Sequence, residues 1–145
     1  MTSAANQPAI SPPVMRVVVV AGLASLATGL VASLAVQLAG AGTFADGVMA
    51  TGAVLVGVLV GVIPMAAMGP KPIFVIASAV LFGSALRAIA ALGLAIVAYM
   101  GTTVEGKGFW FVFLVVAFAA MVSEVLAVMP VLQGKANKSS EATEQ

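Results

Sequence analysis

FWFVFLVVAFAAMVSEVLAVMPVL, Phe109–Leu132, holds one ionisable side chain, Glu124, in an otherwise apolar run. A helix needs about 20 apolar residues to cross the hydrocarbon of a bilayer. Three runs of similar length precede this one: Val17–Ala39, Val48–Met68 and Ile73–Met100. Lipid offers no partner to loose backbone N–H and C=O groups, so such runs close their hydrogen bonds internally as helices. Within the four runs the only other charged side chain is Arg87. A charge at membrane depth is costly and usually faces a partner or a functional site. The fold is therefore expected to be all-α, a four-helix transmembrane bundle of two antiparallel hairpins, with Arg87 and Glu124 as its polar feature.

The whole chain agrees with that reading. Of 145 residues, 62% are hydrophobic and 8% charged, and the mean hydropathy is +1.20. Soluble domains carry about 25% charged residues, so little is available here to cover a water-facing surface. A net charge of +1 offers no basic patch for nucleic acid. Cysteine and histidine are absent, which excludes disulfides, thiol chemistry, Cys/His zinc sites and histidine acid–base catalysis. No Ser/His/Asp set, phosphate loop or HExxH motif is present. An enzyme is not expected, and neither a cofactor nor a metal is implied.

Residues 1–13 are polar and contain Pro8, Pro12 and Pro13, so they read as a disordered tail. Ala39-Gly40-Ala41 resembles a signal-peptidase site, but the run before it is longer than the usual signal core of about 7–15 residues. The first helix is expected to be retained. The membrane domain then covers 14–133, with helices over 17–39, 48–68, 73–100 and 109–132. Gly69-Pro70-Lys71-Pro72 makes a stiff connection, Pro64 is expected to kink the second helix near its end, and 134–145 read as a disordered tail. Asp46 and Glu105 read as solvated loop charges, because two loop carboxylates make a poor divalent site.

Arg16, Lys71, Lys135 and Lys138 flank one side of the membrane and Lys107 the other. The positive-inside rule then puts both termini in the cytoplasm of a multi-pass inner-membrane protein. Phe44, Tyr99, Phe109 and Trp110 sit at the opposite helix ends, where an interfacial aromatic belt would form. Small residues recur at helical spacing: Ser25, Gly29 and Ser33; Ala53, Gly57 and Gly61; Ala79, Gly83 and Ala91 beside Arg87; Ala117, Ala120 and Ala127 beside Glu124. Such strips let helix backbones approach closely. Gly57, Gly61 and Gly83 are the candidate packing positions, and the strips fit a homo-oligomer face as well as packing within one bundle.

Arg87 and Glu124 lie on consecutive helices joined by a short loop. Counted from the loop centre their offset is about four residues, or about 6 Å along the axis, which an arginine side chain can cover. Three readings are open. The pair locks two helices in register; it meets a buried polar group of a partner; or Glu124 binds and releases a proton or cation during transport. The first two helices carry no charge at depth, so a relay for transport is missing.

Three stretches resemble the ATP synthase subunit I family, short four-helix membrane proteins of bacterial ATP synthase operons. Phe82-Gly83-Ser84-Ala85-Leu86-Arg87-Ala88 looks like the family's third-helix pattern of Phe-Gly, an often acidic residue and then Lys or Arg. Ser123-Glu124-Val125-Leu126-Ala127 followed by Pro130 is similar to its fourth-helix ending, and Gly47 through Gly52 and Gly57 to Pro64 to its Gly-rich second helix. Ser84 departs from the pattern, standing where many members carry an acid. The resemblance implies a non-enzymatic accessory protein of a bacterial inner membrane that helps assemble or stabilise a membrane complex, with ATP synthase c subunits as partners beside the lipid bilayer. Divalent-cation transport has also been proposed for that family. The alternative class is a small four-helix transporter of protons, cations or lipophilic compounds.

Overall fold

The computed structural model describes residues 14–68, 73–104 and 106–141, with side chains for all of these except 73, 74 and 131–141. Four helices account for nearly all of it: α1 (Val14–Leu38), α2 (Phe44–Ala66), α3 (Ile73–Gly101) and α4 (Gly106–Glu141). Each contains a stretch long and apolar enough to cross a membrane; in α4 that stretch is Gly106–Pro130. The side chains are sorted as lipid requires. Leu23, Leu30, Leu38, Leu81, Phe82, Ile89, Val97, Leu114 and Phe118 point outward, whereas alanine, valine, glycine and serine fill the interior. An apolar exterior of this extent is a lipid-facing surface, and the chain is a multi-pass membrane protein with an all-helical fold.

Small residues set how the helices pair. On the α1–α2 face Gly29 lies against the Thr51 side chain and Gly47 against Ser33, each glycine receiving the hydroxyl residue opposite. The buried hydroxyls bond within their own helices: Ser25 to the Ala21 carbonyl at 2.7 Å, Ser33 to that of Gly29 at 2.6 Å and Thr51 to that of Gly47 at 2.8 Å. They are satisfied one turn back and compete with nothing across the interface. On the α2–α3 face a methyl group at Gly57 would sit 2.7 Å from the Ala91 Cβ, and one at Gly83 would run into the Gly61 carbonyl oxygen. The glycine strips are thus consumed by packing inside the bundle.

α2 is the central helix: α1, α3 and α4 all pack on it, and α4 also packs on α1. α3 and α4 are different. They follow one another in the chain, yet their backbones hardly approach each other. α3 lies along α2, and the second hairpin is splayed.

The helix ends differ from the expected bounds for identifiable reasons. α1 stops in a Schellman turn, with Gly40 at φ +65°, its N–H on the Gln37 carbonyl (3.1 Å) and the Ala41 N–H on the Val36 carbonyl (3.1 Å). α2 starts at Phe44 instead of Val48, because Thr43 and Asp46 form a capping box. Asp46 accepts from the Thr43 N–H at 2.8 Å, and the Thr43 hydroxyl oxygen accepts from the Asp46 N–H at 3.3 Å. Asp46 is 5% exposed, so its reading as a solvated loop charge is corrected: it is a buried cap. The structure also corrects the end of α4. The helix runs through Pro130 to Glu141, where an irregular tail was expected from 134. Proline removes one intrahelical bond, and the Lys, Ala, Gln and Glu residues that follow favour helix. Residues 1–13, the Gly69–Pro72 connection with Lys71, Glu105 and 142–145 lie outside the described residues.

Two glycines of α3 provide a controlled test of this packing. Gly83→Ala drives a methyl group into backbone and should cost about 1–3 kcal/mol. Gly93, which has open space around it, should tolerate alanine and gain up to about 1 kcal/mol of helix propensity. Thermal unfolding in detergent of the two variants beside the parent chain checks both signs.

Candidate functional site

The apolar core divides into two clusters. One contains Ala21, Val54, Val58, Ala91, Phe109, Val112, Val116 and Ala120; the other contains Val17, Val62, Met65, Ala79, Ala127 and Val128. Along α2, α3 and α4 the break falls between Val58 and Val62, between Ala79 and Ala91, and between Ala120 and Ala127. Arg87 and Glu124 occupy that break. Their side chains form an ion pair between Arg87 Nη1 and Glu124 Oε2, and each residue is about one-twentieth exposed. The Ser84 hydroxyl donates to the same carboxylate oxygen at 3.2 Å. The sequence alone did not single out Ser84 as a partner. Its place three residues before Arg87, on the same helix face, was the available signal.

The glycine positions explain how Arg87 reaches this depth. A methyl group at Gly61 would lie 2.7 Å from the Arg87 Cβ and 2.8 Å from the Gly83 carbonyl; one at Gly57 would lie 2.9 Å from the Arg87 carbonyl. α2 therefore carries a glycine wherever the Arg87 turn of α3 crosses it. Gly57, Gly61 and Gly83 form one seam directly behind Arg87, and the pair's cation projects from that seam toward α4.

Because α3 and α4 are splayed, the pair bridges a cleft. On one side is a cavity of about 250 Å³ lined by Ser84, Arg87, Ala88, Ala91, Phe113 and Ala117 among others, with Val54 of α2 contributing to its wall. On the other side is one of about 320 Å³ lined by Val80, Leu81, Ser84, Arg87, Glu124 and Met129 among others. The wall is apolar except for the triad. Beyond the first cavity the helices are joined again by aromatic rings: Tyr99 lies 6.2 Å from Phe109 and 5.7 Å from Trp110, Phe109 lies 5.3 Å from Trp110, and Trp110 lies 5.7 Å from Phe113. Phe109, expected in an interfacial belt, is fully buried in this cluster.

The triad holds one carboxylate, one guanidinium and one hydroxyl. It can bind. A guanidinium has five N–H donors, and even a two-pronged contact with Glu124 would leave three of them. Among the described residues no other side chain or backbone carbonyl accepts from Arg87.

Removing one partner should cost more than removing both, since a lone charge is then left in an apolar layer. Arg87→Met or Glu124→Met alone should destabilise by about 3–5 kcal/mol and the double variant by much less. A double-mutant cycle by chemical or thermal unfolding in detergent measures the difference; strictly additive losses would show that the pair is not coupled. In comparisons with known proteins no family model, curated protein or solved structure matches the chain.

Proposed function

We propose that the chain is a non-catalytic accessory protein of a bacterial inner membrane, with both termini in the cytoplasm, and that it assists assembly or stability of a membrane complex. The observation that carries this reading is the cleft itself. A charged pair with donors to spare stands in the wall of a groove that lipid-facing helices leave open. Inside a bilayer such a groove suits a neighbouring membrane segment, because close packing and interhelical hydrogen bonds drive association there. The c ring of ATP synthase is the leading candidate complex. The support is the resemblance of the Phe82–Ala88 and Ser123–Ala127 stretches to the subunit I family, and these two stretches supply Ser84, Arg87 and Glu124 of the triad.

A second reading, a small transporter of protons, cations or lipophilic compounds, has one observation in its favour: the apolar cavity beside Glu124. It requires Glu124 to exchange its partner during turnover. The other carboxylate among the described side chains, Asp46, is engaged in the cap of α2 and does not complete a relay.

Affinity capture of the tagged chain in mild detergent, followed by mass spectrometry, separates the two. The assembly reading expects c subunits or other membrane-sector subunits with the parent chain and at least a severalfold loss with Arg87→Ala at equal expression. Capture without such subunits, together with proton or substrate flux in liposomes that Glu124→Gln abolishes, would replace it with transport.

A further inference from the structure

We infer that the α3–α4 cleft receives a single transmembrane helix of the partner, and that this helix presents an uncharged hydrogen-bond acceptor, a carboxamide or a protonated carboxyl, to Arg87. The inference rests on the reading of the chain as one that binds a membrane partner, and it names the chemistry of that contact.

Three observations lead to it. The first is extent. The residues lining the cleft run on α4 from Phe113 to Met129 and on α3 from Val80 to Leu92, which at 1.5 Å per residue is about 18–24 Å along the axis. That is several turns of an opposing helix, whereas a compact ligand would occupy one cavity or the other. The second is relief. Ser84, Ala88, Ala91, Ala117 and Ala120 make up half of the residues lining the cavity nearer the aromatic cluster, and small side chains let an incoming backbone come close enough to pack. The third is charge. Arg87 is 6% exposed and lines both cavities. Its charge is already balanced by Glu124, while its donor count is not. An incoming anion would leave a net charge at membrane depth, which is costly. A neutral carbonyl oxygen takes a spare N–H without that penalty, and the amide N–H₂ or carboxyl O–H beside it can donate to the Glu124 carboxylate. The complementary group therefore both accepts and donates, with no net charge.

Alternative sources of cleft stability do not remove this capacity. Ser84 uses its one donor on Glu124, and Ser123 bonds the Ala120 carbonyl at 2.9 Å. Each hydroxyl oxygen keeps lone pairs, but two such acceptors could not saturate the five donors of Arg87.

The test uses the full-length chain in phosphatidylcholine vesicles, labelled at the exposed position 107 through Lys107→Cys, since the chain has no other cysteine. Two acceptor-labelled Leu/Ala transmembrane peptides are compared, one with a central Asn and one with a central Leu, and association is read by energy transfer. The Asn peptide is expected to associate roughly five- to tenfold more tightly than the Leu peptide. The preference should vanish in Arg87→Met/Glu124→Met and in Ala88→Phe, which blocks the cleft from an exposed position and leaves the buried core intact. Equal binding of the two peptides, a preference that survives Ala88→Phe, or no association of either because lipid holds the cleft would each overturn the inference. Capture of c subunits that does not depend on Arg87 would keep the assembly reading and remove the cleft from it. An Asn preference with no c subunit captured would do the reverse.

Discussion

An arginine at membrane depth has to be paired, and the rest of this structure can be derived from that requirement. Insertion of one charge at a helix centre costs about 2.5–3.5 kcal/mol on translocon-based scales and more on an isolated helix. Glu124 therefore stands opposite Arg87, and Ser84 adds a hydrogen bond to the same carboxylate oxygen. To bring the guanidinium to that place the Arg87 turn of α3 lies almost on the backbone of α2, and only glycine fits at 57, 61 and 83. The apolar core is interrupted at the same level.

The pair has a second consequence. α3 is fixed to α2 by the glycine seam and α4 is fixed to α1 and α2 by its own packing, so the two helices that carry the charges are not held by one another's backbones. Across the cleft they are joined by the ion pair at mid-depth and by the Tyr99, Phe109, Trp110 and Phe113 rings at one end. On the proposed function, structural and recognition roles meet in the same residues. The pair that spans the cleft is also the polar feature within it.

Much of this was legible in the sequence, because lipid is a demanding solvent. Four apolar runs with one charge in each of the last two gave the helix number, and the offset of Arg87 and Glu124 from the loop gave their meeting. The strip of Gly57 and Gly61 indicated close packing, but period alone does not say against which helix. That choice depends on how Gly83 and Ala91 fit on the opposing face. The splay of α3 from α4 was not readable either, since adjacency in sequence is the ordinary guide to adjacency in space. Asp46 looked like a loop charge because the capping signal Thr43-Phe44-Ala45-Asp46 sits inside a Gly-rich turn and uses Asp where Glu or Gln is usual. Pro130 looked like a helix stop, but Leu132, Gln133, Lys135, Ala136 and Lys138 after it favour helix and outweigh Gly134.

The central claim is that the Arg87–Glu124 pair holds α3 and α4 at a fixed separation across an otherwise open cleft. The absence of native cysteine makes it directly measurable by electron–electron spin distances between labels at Phe82→Cys and Leu126→Cys, both on lipid-facing surface. A narrow distance distribution is expected for the otherwise unaltered chain in liposomes, broadening and shifting to longer distances with Glu124→Gln. An unchanged distribution in that variant would contradict the account, because α3 and α4 would then be held by something other than the pair.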